Sequence, residues 1–312
     1  MIRKHLVGKR SAGFCGRFLI GVFLLFVSTV GNSQNLSKHS AKSGMEQSVR
    51  FRDGDTVFSI RNETSAHSWN QYAFEKTRDL IDAYESYTGV SFQRATVPVY
   101  KTLPESEKNR IRLVLKESVY LNGTRIGGYN NVSGGTGKEL GIFLESGLVP
   151  IGSPALLLHE LGHYYFTEPI WLTEGIVSFL PFLLAKKGIL KLTKQEISSV
   201  SDEWQLSERP SKIDPPLAEN FQSDDPRVGA WLYSKSVRLQ GILYRELGNE
   251  NYRKFLKTAI SQDLSDGNGL LAVLRSIQPK NWESILKGWV LPGKYSAYSV
   301  HSFSKMKDWD SL

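Results

Sequence analysis

Ser153-Pro154-Ala155-Leu156-Leu157-Leu158-His159-Glu160-Leu161-Gly162-His163-Tyr164-Tyr165-Phe166 is followed at short range by Trp171-Leu172-Thr173-Glu174-Gly175. Ser153 is a favourable N-cap and Pro154 a favourable first helical residue, and no proline intervenes before Pro169, so the stretch predicts a helix that starts here. On such a helix His159 and His163 lie one turn apart and project from one face, as two imidazoles must to share one metal ion. Glu160, one residue on, flanks that face and can take a proton from a metal-bound water. The five-position pattern alone, His-Glu-x-x-His, arises by chance in about one chain of this length in a hundred. Its flanks raise its weight: Leu156 to Leu158 would bury the helix, and three polar groups in an apolar core need a reason to be there. Core histidines satisfied by hydrogen bonds are the plainer reading; the capped start and the acidic helix start ten residues on favour a metal site.

The chain has 312 residues, 40% apolar and 22% charged, a globular composition with room for a sizeable core. Its N-terminus differs. Arg3, Lys4, Lys9, Arg10 and Arg17 precede the apolar run Phe18 to Val27, and Gly31 and Ser33 supply small residues before Gln34. That is the form of an export signal over residues 1–33. The run is shorter than the roughly 20 residues of a spanning helix, which favours cleavage, with an uncleaved anchor as the alternative. Either way the following domain is exported, to the periplasm or the medium. The one cysteine, Cys15, lies within this leader, so the mature chain offers neither disulfides nor thiolate ligands. Removing five basic and no acidic residues takes the formal +8 to about +3. Nucleic-acid binding thereby loses its main support, and no stripe of basic and aromatic residues follows downstream. Contact with a membrane is expected only through an uncleaved anchor.

Residues 34–50, rich in serine and poor in apolar groups, read as a flexible tether, with the folded domain over 51–312. Within it, 51–150 reads as a mixed strand and helix part and 151–312 as mostly helical, an α+β organisation. Thr56 to Ile60 and Thr96 to Tyr100 read as strands and Trp69 to Tyr87 as a helix. The charged stretch Glu105 to Glu117 is expected to be helical, and Asn122-Gly123 marks a turn. Gly127 to Gly137 reads as a mobile loop. It is not a phosphate loop, because Val132 stands where the first glycine should be and Glu139 where Ser or Thr should bind magnesium. Leu140 to Leu144 is expected to be a strand that either belongs to the core or forms an edge to which an extended peptide adds. Thr173 reads as the cap of a second helix that kinks or ends at Pro181. Thr193 to Glu196 has the form of a capping box, and Pro226 to Leu247 of a long helix closed by Gly248. Trp204, Trp231, Trp282 and Trp289 read as core.

Catalytic zinc usually takes three protein ligands and leaves a position for water. With no cysteine and few histidines in the mature chain, Glu174 is the favoured third ligand, on a helix able to fold back beside the first. Glu168, in the turn next to Pro169, is its rival.

His159-Glu160-Leu161-Gly162-His163 with Trp171-Leu172-Thr173-Glu174-Gly175 resembles the gluzincin metallopeptidases, in particular the exported peptidase MA-like group, whose Trp-Leu-x-Glu-Gly helix supplies the third ligand. The resemblance is sharp over about 25 residues. It implies a zincin-like fold with the active site between a sheet part and a helical part. It also implies Zn2+ held by His159, His163 and Glu174, with Glu160 as general base. Two motifs of related enzymes are missing: the Gly-x-Met-Glu-Asn of aminopeptidases, and the second-helix pattern of thermolysin, since residue 178 is serine. Aminopeptidase specificity is therefore not implied, and the group orienting a ligand histidine is unassigned. The expected chemistry is hydrolysis of a peptide or protein substrate by a zinc-activated water, in the manner of an endopeptidase. Tyr233, on the long downstream helix, is the candidate oxyanion donor; its plainer reading is a packing tyrosine. Two alternatives are a catalytically silent binding module of the same fold and a zinc hydrolase of a non-peptide amide or ester.

Overall fold

The computed structural model describes residues 43–96, 105–121, 123–131, 139–202, 204, 209, 214–219, 221, 223, 225–262, 264 and 266–312. The export signal, the start of the tether, all of the strand expected over Thr96 to Tyr100 except Thr96, and residues 132–138, which include the later part of the stretch expected as a mobile loop over Gly127 to Gly137, lie outside these residues.

The chain is α+β, a sheet-bearing N-terminal part leading into a helical C-terminal part. Strand β1 (Ser43–Phe51) pairs antiparallel with β2 (Gly54–Asn62). This corrects the tether, which was expected to run to residue 50. Met45, Val49 and Phe51 alternate inward onto the core, and the serines and charges that make the stretch look unstructured belong to its solvent face. Helix α1 (Trp69–Thr88) buries Ala73, Leu80, Ile81 and Tyr84 along one face, and Gly89 ends it in the left-handed conformation at φ 72°. Two short helices follow, α2 (Phe92–Thr96) and α3 (Glu105–Lys108).

The next stretch corrects a second expectation. Only its first residues are helical; β3 (Arg110–Lys116) then runs through the middle of the sheet. Ile111, Leu113 and Leu115 are fully buried, while Arg110 and Arg112 alternate outward onto Glu46 and Glu107. Pairing across two neighbouring strands overrides the high charge that reads as helix. Strands β4 (Val119–Leu121) and β5 (Thr124–Ile126) form a hairpin about Gly123, at φ 83°.

The start of the glycine-rich stretch is also ordered. It forms β6 (Gly128–Asn131), antiparallel to β7 (Gly141–Glu145). The sheet order is β1-β2-β3-β7-β6, with β2, β3 and β7 parallel. The strand before the metal helix is therefore internal, and the edge is β6. Glycine permits this pairing: a Cβ on Gly128 would sit 3.0 Å from the Phe143 carbonyl oxygen.

A 3-10 turn at 146–148 leads to α4 (Ala155–Gly162) and then α5 (Ile170–Lys186). Ser153 does not cap α4, nor does Thr173 cap α5, which begins three residues earlier and continues past Pro181. Helix α6 (Lys194–Asp202) opens on the expected capping box, with the Glu196 backbone N–H donating to Thr193 Oγ1 and the Thr193 N–H to Glu196 Oε2. Helix α7 (Pro226–Ser261) is broken at Gly248, φ 69° and ψ 170°. Helices α8 (Gly267–Ile277), α9 (Trp282–Leu286) and α10 (Met306–Asp310) complete the chain. One continuous core runs from the inner face of the sheet, under α1 and α4, into the helical part; Trp204, Trp282 and Trp289 lie in it, and Trp231 is fully buried beside Asp214. Among the described residues no helix is long and apolar enough to cross a membrane.

Candidate metal centre and active site

Helices α4 and α5 pack closely because glycines face each contact. A Cβ on Gly162 would lie 2.8 Å from Val177, and one on Gly175 would lie 2.3 Å from the Ser236 carbonyl oxygen of α7. The first contact closes α4 onto α5; the second presses the start of α5 onto α7. Ser236 Oγ donates to the Trp171 carbonyl at 2.7 Å, fixing the opening turn of α5. Glu174 follows directly on that turn and is carried to the histidines of α4.

His159 and His163 are one turn apart, with ring centroids 5.1 Å from each other. Glu174 Oε2 lies 3.2 Å from His159 Nε2, and Oε1 lies 3.5 Å from His163 Nε2. These three residues offer ligand atoms all within 4.8 Å of one another. Glu168, the rival third ligand, is exposed and outside this group. Glu160 is buried beside it, its carbonyl accepting from Asn130 Nδ2 of the edge strand at 2.7 Å.

Hydrogen bonds behind the rings decide what the group can bind. His163 Nδ1 lies 3.1 Å from the Phe166 carbonyl, which can only accept, so Nδ1 carries the proton and Nε2 of the neutral ring is a lone pair. His159 Nδ1 lies 3.0 Å from Ser178 Oγ, which accepts equally well. Burial holds His163 below the ordinary histidine value, outweighing the pull of Glu174. Burial alone would raise Glu174, but the two histidines outweigh it and hold the carboxylate below its ordinary value. Neutral His163 thus aims a lone pair at a buried anion, and His159 does the same when the Ser178 hydroxyl accepts from its Nδ1. In their neutral form neither ring brings a counter-charge to the carboxylate. Two nitrogens and one carboxylate are a donor set that fits zinc.

Tyr233 of α7 lies on the same side as the two glutamates. Burial raises its phenol well above the ordinary value, and the nearby charges of Glu174 and Glu160 raise it further, so it stays a proton donor. Phe221 packs on it at 5.1 Å. Tyr244, further along α7, packs instead among Phe179 and Tyr252 in the core.

Ser178 and Asn130 were not singled out from the sequence as functional groups. Ser178 is four residues after Glu174, so helical spacing already places it on the same face. Asn130 carried no signal, since its place depends on β6 being the edge.

Solved structures share the fold. The M1 zinc metallopeptidase from Deinococcus radiodurans matches with a TM-score of 0.50 and 14% identity, over 81% of this chain and 53% of that one. A mutant form matches with a TM-score of 0.51 and 13% identity over the same shares. That mutant bound to a Tyr-Ser-Ala substrate gives a TM-score of 0.48 and 13% identity, over 83% and 54%. The chain spans about half the length of these structures. No protein-family model matches the sequence, and no curated protein matches it.

Proposed function

We propose that this chain is an exported zinc-dependent metallopeptidase of the gluzincin kind, an endopeptidase acting on peptide or protein substrates. The observation that carries the reading is the buried Glu174 carboxylate facing two imidazole nitrogens whose opposite nitrogens are already committed to Ser178 and Phe166. His159, His163 and Glu174 hold the metal. When bound, zinc supplies a Lewis acid for the scissile carbonyl and a water of lowered pKa. Glu160 takes the proton of the attacking water and returns it to the leaving nitrogen. Tyr233, kept protonated, donates to the oxygen on which negative charge develops. Asn130 holds the Glu160 backbone to the edge strand, fixing the base relative to β6. Export is supported by the basic and apolar leader.

The test is to express the chain without residues 1–33, measure bound metal, and follow cleavage of an unfolded protein. Glu160→Gln is expected to keep its zinc and lose turnover. Tyr233→Phe is expected to keep zinc and lose about a hundredfold in turnover. Full metal occupancy with equal, negligible cleavage by wild type and Glu160→Gln would establish a silent module instead. Cleavage of esters or non-peptide amides alone would move the substrate class.

A further inference from the structure

The metal helix is braced from the far end of the chain. Trp204 Nε1 donates to the Ser178 carbonyl at 3.1 Å, and Ser178 Oγ is the partner of His159 Nδ1. Trp309 packs on Trp204 with ring centroids 4.4 Å apart and the planes tilted by 53°, and also meets Phe179 at 5.7 Å. The C-terminal segment that carries Trp309 is itself pinned. Lys186 Nζ donates to the Trp309 carbonyl at 3.1 Å, and Arg245 reaches Ser311 Oγ at 3.1 Å. Gly241 leaves the space: a Cβ there would lie 2.9 Å from Trp309 and 2.8 Å from Phe303.

Two features make this brace matter to the metal rather than to the fold alone. Pro181 has no N–H, so the α5 ladder cannot close on the Val177 carbonyl, and the helix is weakened within one turn of Ser178. A gap no larger than one water, lined by Ala155, Val177, Pro181, Val200 and Trp204, also lies beside His159 and Ser178. The hydroxyl of Ser178 and the indole that fixes its backbone are left to set the ring.

We propose that Ser178, Trp204 and Trp309 are positioning residues of the metal centre, a relay by which the last turn of the chain fixes the orientation of His159. It rests on the reading of His159 as a metal ligand and not on the reaction catalysed. A hydroxyl in place of a carboxylate behind the histidine makes the backbone anchor from Trp204 the part that supplies rigidity.

The test measures zinc affinity by competition with a chelator, and the visible spectrum of the cobalt-substituted protein, on the full mature chain. Ser178→Ala is expected to weaken zinc by about tenfold to a hundredfold, and Ser178→Thr, which keeps the hydroxyl, to restore it. Trp204→Phe, which keeps a ring but loses the N–H, and a chain ending at Ser304 are each expected to weaken zinc at least about threefold and to shift the cobalt bands. Trp289→Phe is the control. It removes an indole donor of the same kind, to the Tyr298 carbonyl at 3.1 Å, outside the relay, and is expected to leave zinc affinity and spectrum unchanged. Wild-type affinity and spectrum in Trp204→Phe and in the shortened chain, both folded by thermal melting, would overturn the relay. An equal loss in Trp289→Phe would overturn it too, by making the effect one of general stability. A protein that binds zinc and shows these shifts but cleaves nothing would sink the peptidase reading and leave the relay standing.

Discussion

Asp214 and Glu174 are carboxylates enclosed by the same helical half of the molecule, and their surroundings differ in kind. Asp214 is met only by donors: Lys235 Nζ at 2.9 Å, Trp231 Nε1 at 2.9 Å and the Tyr295 hydroxyl at 2.7 Å. Lys235, with no exposed surface, balances its charge. Glu174 is met by two ring nitrogens that bring no positive charge in their neutral form. The first is a finished structural ion pair. The second is a buried carboxylate without a counter-charge of that kind, which the proposed metal would supply. Burial of a charge is thus no sign of function by itself; what separates a strut from a site is whether the protein supplies all of the partners.

The largest effect expected on stability comes from breaking the finished pair. Asp214→Ala leaves Lys235 buried without a counter-charge and is expected to lower the unfolding free energy by about 3–5 kcal/mol in denaturant titrations, with zinc affinity unchanged. A loss below about 1 kcal/mol would place Asp214 with ordinary surface pairs.

Acid separates the two carboxylates next. His163 has a folded-state value below its ordinary 6.5, so the unfolded chain binds the proton more tightly. The stability it contributes is complete above pH 6.5 and is lost as pH falls from there toward the folded value. Asp214 is held below its ordinary 3.8, burial being outweighed by Lys235 and the hydrogen bonds, so its contribution is present above that value and lost only as pH falls below it. Metal-free protein is expected to lose stability first near pH 6 and again below pH 4. Zinc binding should weaken in the first window, as the ligand nitrogens take up protons. A single loss confined to the lower window would contradict a neutral, metal-ready His163.

The smallest effect belongs to the sheet half, where charges are paired on the surface. Arg61 meets Glu139 at 2.6 Å with both side chains more than a third exposed. Arg61→Ala is expected to change unfolding free energy by at most about 1 kcal/mol, and less at high salt.

These differences also mark what a sequence reveals. His159, Glu160, His163 and Glu174 were legible because their relation rests on helical spacing and a short turn, which need no distant contact. The helical half was legible for the same reason, through Gly248, the Thr193 to Glu196 capping box and the buried tryptophans. The sheet half was less so. β3 hides a buried apolar alternation under Arg110, Arg112 and Lys116, whose ion pairs come from Glu46 and Glu63, remote in sequence, and from Glu107 on the short helix just before it. β1 hides its inward residues among serines. The edge could not be assigned, because Gly128–Asn131 becomes a strand only when β7 is beside it. Ser178 was in plain view at helical spacing from Glu174, yet its role depends on the ring it meets and on Trp204, 26 residues away. No local pattern encodes such a contact.

The central claim, that Glu174 completes a metal centre with His159 and His163, is tested most directly by zinc titration of the apo mature chain beside Glu174→Gln and Glu168→Gln. One zinc per chain is expected for wild type and for Glu168→Gln, with affinity reduced more than about a hundredfold in Glu174→Gln, beyond the range of orienting residues. Zinc held as tightly by Glu174→Gln as by wild type, or lost in Glu168→Gln, would contradict it.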